Sequence, residues 1–109
     1  MINELVKRLS TGKHEVTIGN REEPNSEIEE RLTDMKYIHV MFPNTKGGTE
    51  LGINVDTESC DLTKADFNKG KGKVHIEGTT NLNYCDVRCI ADVDLESRKG
   101  EGYLVVANN

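Results

Sequence analysis

Apolar residues recur along this chain with two different periods. Near the start, Ile2, Leu5, Val6 and Leu9 follow the i, i+3, i+4, i+7 spacing of one helix face. Lys7 and Arg8 suit the negative end of the helix dipole, and Gly12 stops the helix. In "HEVTIG" the period becomes two, with His14, Val16 and Ile18 on one face and Glu15 and Thr17 on the other. Gly19-Asn20 ends that short strand. Helical spacing returns in "REEPNSEIEERLTDM". Ile28, Leu32 and Met35 share a face, and Ser26-x-x-Glu29 fits a capping box after Pro24. The pattern predicts a helix over 26–36, with Glu27, Glu29 and Glu30 placed where its dipole favours them.

From residue 36 onward the alternation is that of strands. "KYIHVMFP" (36–43) sets Ile38, Val40 and Phe42 against Tyr37, His39 and Met41. Both sets are fairly apolar, so the strand is expected to be central, and Pro43 ends it. "NTKGG" (44–48) reads as a hairpin loop. "TELGINVD" (49–56) alternates Leu51, Ile53 and Val55 with Glu50, Gly52 and Asn54. Residues 57–72 show no clear period. "GKVHIEG" (72–78) is a strand, "TNLN" (80–83) a turn, "YCDVRCIADVDL" (84–95) the longest alternation, "ESRKGEG" a turn and "YLVVA" (103–107) the last strand.

Strands joined by short turns pair antiparallel. The expected fold is therefore an α+β domain. It has a mostly antiparallel sheet of five or six strands, a C-terminal meander, and two N-terminal helices packed on one face or end. A small closed or half-closed barrel is the competing architecture. The 109 residues fit one domain spanning 1–109, and no linker or internal repeat interrupts them.

Composition narrows the function classes. Hydrophobic residues make up 35% and aromatics 5%, so the core is aliphatic. A net charge of −5 argues against direct nucleic-acid binding, which needs a basic footprint. The lysines of "NKGKGK" (68–73) form a solvated loop with no helix start behind them to make an anion site. No apolar run approaches the ~20 residues of a membrane span, and the N-terminus lacks a signal-peptide core. Three cysteines, an odd number, accompany no export signal. A cytoplasmic chain with reduced thiols is the expectation.

"YCDVRC" (84–89) invites a metal or redox reading of Cys85 and Cys89. Parity opposes it. Cys85, Val87, Cys89, Ala91, Val93 and Leu95 form one apolar face, and free cysteine packs as a small hydrophobe. Four residues along a strand span about 13 Å, whereas a disulfide needs Cα atoms within about 7 Å. No metal site or cofactor is expected. Cys60 falls in a loop beside Glu58 and Asp61, whose charges disfavour its thiolate. No phosphate loop, G-x-S-x-G, H-E-x-x-H or calcium loop occurs.

The surface left by this parity is the more informative one. If strands 72–79 and 84–95 form a hairpin, Lys73, His75 and Glu77 lie beside Tyr84, Asp86, Arg88, Ile90, Asp92 and Asp94. That face is a solvated strip or a partner-binding surface with aromatic and aliphatic anchors. The acidic helix segment 21–34 extends the negative field and would suit a basic groove on an enzyme. Three readings follow. The first is a small non-enzymatic binding or regulatory module, an inhibitor or adaptor. It would act on a protein partner through Tyr84, Asp86, Arg88, Asp92, Asp94, His75 and Glu77, with a homodimer as one arrangement. The second is a small-molecule carrier with Tyr37, His39 and Met41 lining a pocket between sheet and helices. The third is an enzyme pairing His39 or His75 with a carboxylate.

Overall fold

In the computed structural model the described residues are 4–19, 22–45 and 47–107. Ile2, Asn20 and Arg21, and Lys46 of the 44–48 loop, lie outside them. The elements run α1 (Glu4–Leu9), β1 (His14–Ile18), α2 (Asn25–Thr33), β2 (Tyr37–Phe42), β3 (Thr49–Val55), β4 (Ala65–Asp66), β5 (Lys71–Leu82), β6 (Cys85–Asp94) and β7 (Lys99–Val106).

The sheet is not open. Its strand order is β3-β2-β1-β7-β6-β5, with β5 paired back to β3, so six antiparallel strands close a barrel. The barrel, the competing architecture of the sequence reading, thus replaces an open sheet with helices on one face. Neighbouring strands are consecutive in the chain except β3 and β5, which have β4 between them, and β1 and β7, which join His14↔Gly102 through Thr17↔Lys99. Alternation fills the interior. Val16, Ile18, Ile38, Val40, Phe42, Ile53, Val74, Ile76, Val87, Val93 and Leu104 are all buried, and Phe42 is the aromatic among them. The outward residues of the same strands are mostly polar, as a half-solvated sheet requires, with Tyr37, Met41, Ile90, Tyr103 and Val105 as the apolar exceptions among the described residues.

The helices plug opposite ends of this barrel. Val6 and Leu9 of α1 close the end where β1 begins, and Ile28 and Leu32 of α2 close the other; all four belong to the same core as the strands. His14 fastens α1. Its Nε2–H donates to the carbonyls of Arg8 (2.9 Å) and Thr11 (3.0 Å). Arg98, on the β6–β7 turn with a left-handed φ of 59°, fastens α2 by donating to the Glu23 carbonyl and to Asn25 Oδ1.

Local corrections have physical causes. The Ser26–Glu29 capping box does not form: α2 starts at Asn25, and the carbonyl of extended Pro24 accepts Glu27 and Ile28 N–H instead. Met35 lies past the helix and is 52% exposed, because the chain turns through Lys36 at φ 55°. Strand β2 is central in order, yet its second face points to solvent, since a barrel has one inside. The turn read at 80–83 is only Asn83-Tyr84, both with positive φ, as a tight two-residue hairpin demands. Gly100 is in strand β7 and not in a turn; a Cβ there would strike the Asp92 carbonyl of β6. In the 57–72 segment, Asp61 bridges to His75 and β4 pairs with the start of β5.

Two joints of the ring are short: β1 meets β2 only at Thr17↔Met41 and Ile18↔Val40, and β3 meets β5 only at Asn54↔Thr79 and Val55↔Gly78. Gly78 permits this approach, since a Cβ would collide with the Asn54 carbonyl and with Ile53. Gly78→Ala should therefore lower unfolding stability by about 3 kcal/mol, read from urea denaturation. It should also speed exchange of the Asp56 amide, which bonds the Glu77 carbonyl across this seam, relative to those of the β6–β7 ladder.

Candidate functional site

The ladder of β5 with β6 sets Lys73↔Asp94, His75↔Asp92, Glu77↔Ile90, Thr79↔Arg88 and Asn81↔Asp86. All of these project outward, so the predicted face exists as a surface of the barrel. Tyr84 is not on it. It occupies the hairpin tip at φ 67°, fully exposed, with its N–H bonded to Asn81 Oδ1. Asn81 also donates to Asp86, which ties the tip together.

A continuous hydrogen-bonded chain crosses the middle of this face. His75 places Nδ1 at 2.8 Å from Asp92 and Nε2 at 2.7 Å from Glu77. Both ring nitrogens thus face carboxylates, an arrangement satisfied by the imidazolium. Hydrogen bonds to Glu77 and then Asp92 hold the His75 pKa above its ordinary value near 6.5. The other oxygen of Glu77 accepts from Arg88 at 3.0 Å, and Arg88 reaches Asp56 at 2.9 Å. Ser59 completes the chain with a bond to Asp56. The bonds to His75, chiefly, hold Glu77 below the usual carboxylate range, and the bond from Arg88 does the same for Asp56.

Two members of this chain lie past the end of β3: Asp56 closes the alternating stretch 49–56, and Ser59 comes from the segment without period. Their arrival depends on the β3–β5 register, for which spacing along the chain carries no signal. Asp94 stands beside Lys73 on β5 and Lys99 on β7, so its charge is locally balanced.

The row that holds His75 and Asp92 is different. Going round the barrel, Glu15 lies opposite Glu101, and Glu101 lies opposite Asp92. Three carboxylates on adjacent strands are direct cross-strand neighbours. Among the described residues neither Glu15 nor Glu101 forms an ion pair. The half-buried Ile90 and Tyr103 sit opposite each other in the adjoining row. Neither Glu15 nor Glu101 stands out in the sequence, because the β1–β7 pairing that aligns them joins distant segments.

The residues of the carrier reading lie outside. Tyr37 and Met41 are 39% and 36% exposed, and Tyr37 stacks edge-on against His39 on the outer face of β2. They were expected to line a pocket between sheet and helices, but Ile38, Val40 and Phe42 take the inward positions of β2. An open groove of about 720 Å³ beside α1 has other walls, including Arg8, Thr11, His14, Thr45 and Thr49.

The thiols are packed. Cys89 is 1% exposed in the core, and burial pushes its pKa up to about 12. Cys60 is half-buried against β5, where its sulfur accepts the Glu77 N–H and donates to the Glu77 carbonyl. Its pKa is raised chiefly by that burial. The nearby charges that add to it are Asp56 and Glu77, not the Glu58 and Asp61 expected from sequence. Among the described residues no group of three or more His, Cys, Asp or Glu is placed to hold a metal ion, and no helix is long and apolar enough to cross a membrane.

No protein-family model matches this chain, and no curated protein does either. The surface chemistry above is therefore the ground for a functional reading.

Two outcomes test the geometry. His75 has a raised folded pKa, so its stabilisation is complete below about 6.5 and declines as pH rises through the folded value. Urea midpoints should fall with rising pH over that interval in the wild type, and His75→Gln should flatten the decline. Alkylation of the native protein should leave Cys89 unmodified, with mass spectrometry showing full labelling only after unfolding.

Proposed function

We propose that this chain is a small non-enzymatic binding module that docks on a basic protein surface, as an inhibitor or adaptor would. The observation that carries this reading is the run of carboxylates Glu15, Glu101 and Asp92 on three adjacent strands. Like charges directly opposite in a sheet work against folding, and Lys99 and Asp94 show one row away how the same strands neutralise themselves. Asp92 already holds His75, so a basic partner repays the repulsion by supplying cations to Glu15 and Glu101, and its approach is steered by the negative field. Ile90 and Tyr103 offer apolar contact beside the carboxylates, the mixture an interface centre needs. Asp86, Arg88 and Tyr84 extend the same side of the molecule toward the hairpin tip.

The α2 segment contributes less charge than its composition suggests. Arg31 pairs with Glu23 at 2.9 Å and Glu27 at 3.1 Å, while Glu22, Glu29, Glu30 and Asp34 are the exposed acids of the segment. The enzyme reading is weaker on the same geometry. Both nitrogens of His75 are committed to carboxylates, and His39 stands on an exposed convex face.

Charge reversal separates a binding role from a structural one. Glu101→Lys removes two like-charge contacts and should raise stability by about 0.5 kcal/mol. The same change, combined with Asp92→Lys, should abolish capture of a basic partner that wild type retains at low salt and releases as salt rises. Partners held equally by both forms would overturn the reading.

A further inference from the structure

Strand β3 has a stretch of free edge with a defined hydrogen-bonding pattern. Val55 N–H bonds the Lys36 carbonyl on the β2 side. Antiparallel alternation then turns the backbone groups of Thr49, Leu51 and Ile53 toward β2 and those of Glu50, Gly52 and Asn54 away from it. Asn54 meets Thr79 of β5. Beyond Thr79, β5 continues with β6 alone. The N–H and C=O groups of Glu50 and Gly52 therefore face a side with no ladder partner among the described residues. On the outer face, exposed Tyr37 of β2 reaches across to Gly52, and exposed Met41 lies cross-strand from Glu50.

An unpaired strand edge flanked by exposed apolar residues is a template for another strand. We propose that the occupant is a second copy of this chain, paired antiparallel to β3 about a two-fold axis at Leu51. That register sets Glu50 of each copy opposite Gly52 of the other, so the four outward groups of one copy bond the four of its mate. Sliding by two residues one way would put Glu50 against Glu50, which like charge opposes. Sliding the other way would put Glu50 against Asn54, whose edge Thr79 already occupies.

Side chains agree with the same register. Gly52 carries no side chain, and Tyr37 Oη lies in the space a Cβ would take. His39 is the cross-strand neighbour of Gly52 and stacks on Tyr37 at 5.4 Å. A carboxylate arriving opposite Gly52 thus meets a phenol donor and an imidazole. The Glu50 of each copy supplies it, twice per pair by symmetry. This surface lies on β2 and β3 and is separate from the Glu15–Glu101–Asp92 row, so either proposal stands without the other.

The test is sedimentation velocity over a concentration series, with amide exchange at Glu50 and Gly52. Wild type should shift toward twice the 12.2 kDa chain mass as concentration rises, and the two amides should gain protection in parallel. Glu50→Lys should weaken association about tenfold, because an ammonium cannot accept a hydrogen bond from the Tyr37 hydroxyl at either symmetric contact. Adding His39→Glu to that variant should restore it. A chain that stays monomeric throughout overturns the proposal, as does a dimer in which these amides stay unprotected or the charge swap fails to rescue.

Discussion

Pairing of the first strand of the barrel with the last is the constraint on which the structure depends. Strands β1 and β7 meet over His14–Thr17 and Lys99–Gly102. Without that seam the remaining strands would form an open sheet with an aliphatic face in water. Aromatics make up only 5% of the chain, so bulk alone does not fill the interior. Closure does it instead, by turning one face of every strand toward the same axis. The helices then have a defined task. Each covers one mouth of the cylinder with two buried apolar residues, and each is held by one polar side chain, His14 or Arg98.

Closure also decides which residues are neighbours on the outside. Glu15, Glu101 and Asp92 come from three separate segments and become a row only because β1 lies against β7. The His75 chain arises in the same way: Arg88 of β6 and Glu77 of β5 reach Asp56, just beyond β3. The chemistry of this surface is thus a property of strand order.

That explains what could be read in the sequence. Period-two alternation identified the strands and the inward position of Cys89, because alternation is local. The hairpin face of Lys73, His75, Glu77, Arg88, Asp92 and Asp94 was legible for the same reason. Closure was not, since nothing in either terminal segment marks it as a partner of the other. The short α2 was misjudged at both ends, where Pro24 and Lys36 impose backbone geometry that overrides the capping and spacing signals. Gly100 was read as a turn residue although its role is to let β7 approach β6. Tyr37, His39 and Met41 looked fit to line a pocket, but apolar character on both sides of a barrel strand leaves one set in solvent.

The chain from Asp92 to Ser59 has one more consequence. It runs from β6 across β5 to the end of β3, over one of the two seams whose backbone ladder holds only two register pairs. Its side chains act there as a brace in place of missing main-chain bonds. Glu77 is the shared member, gripping His75 with one oxygen and Arg88 with the other. Protonating Glu77 in acid loosens the brace from one end, and deprotonating His75 in base loosens it from the other. Acidity therefore acts on a weakly laced joint of the cylinder, whereas the described core is aliphatic and its one buried thiol, Cys89, has a pKa pushed up to about 12.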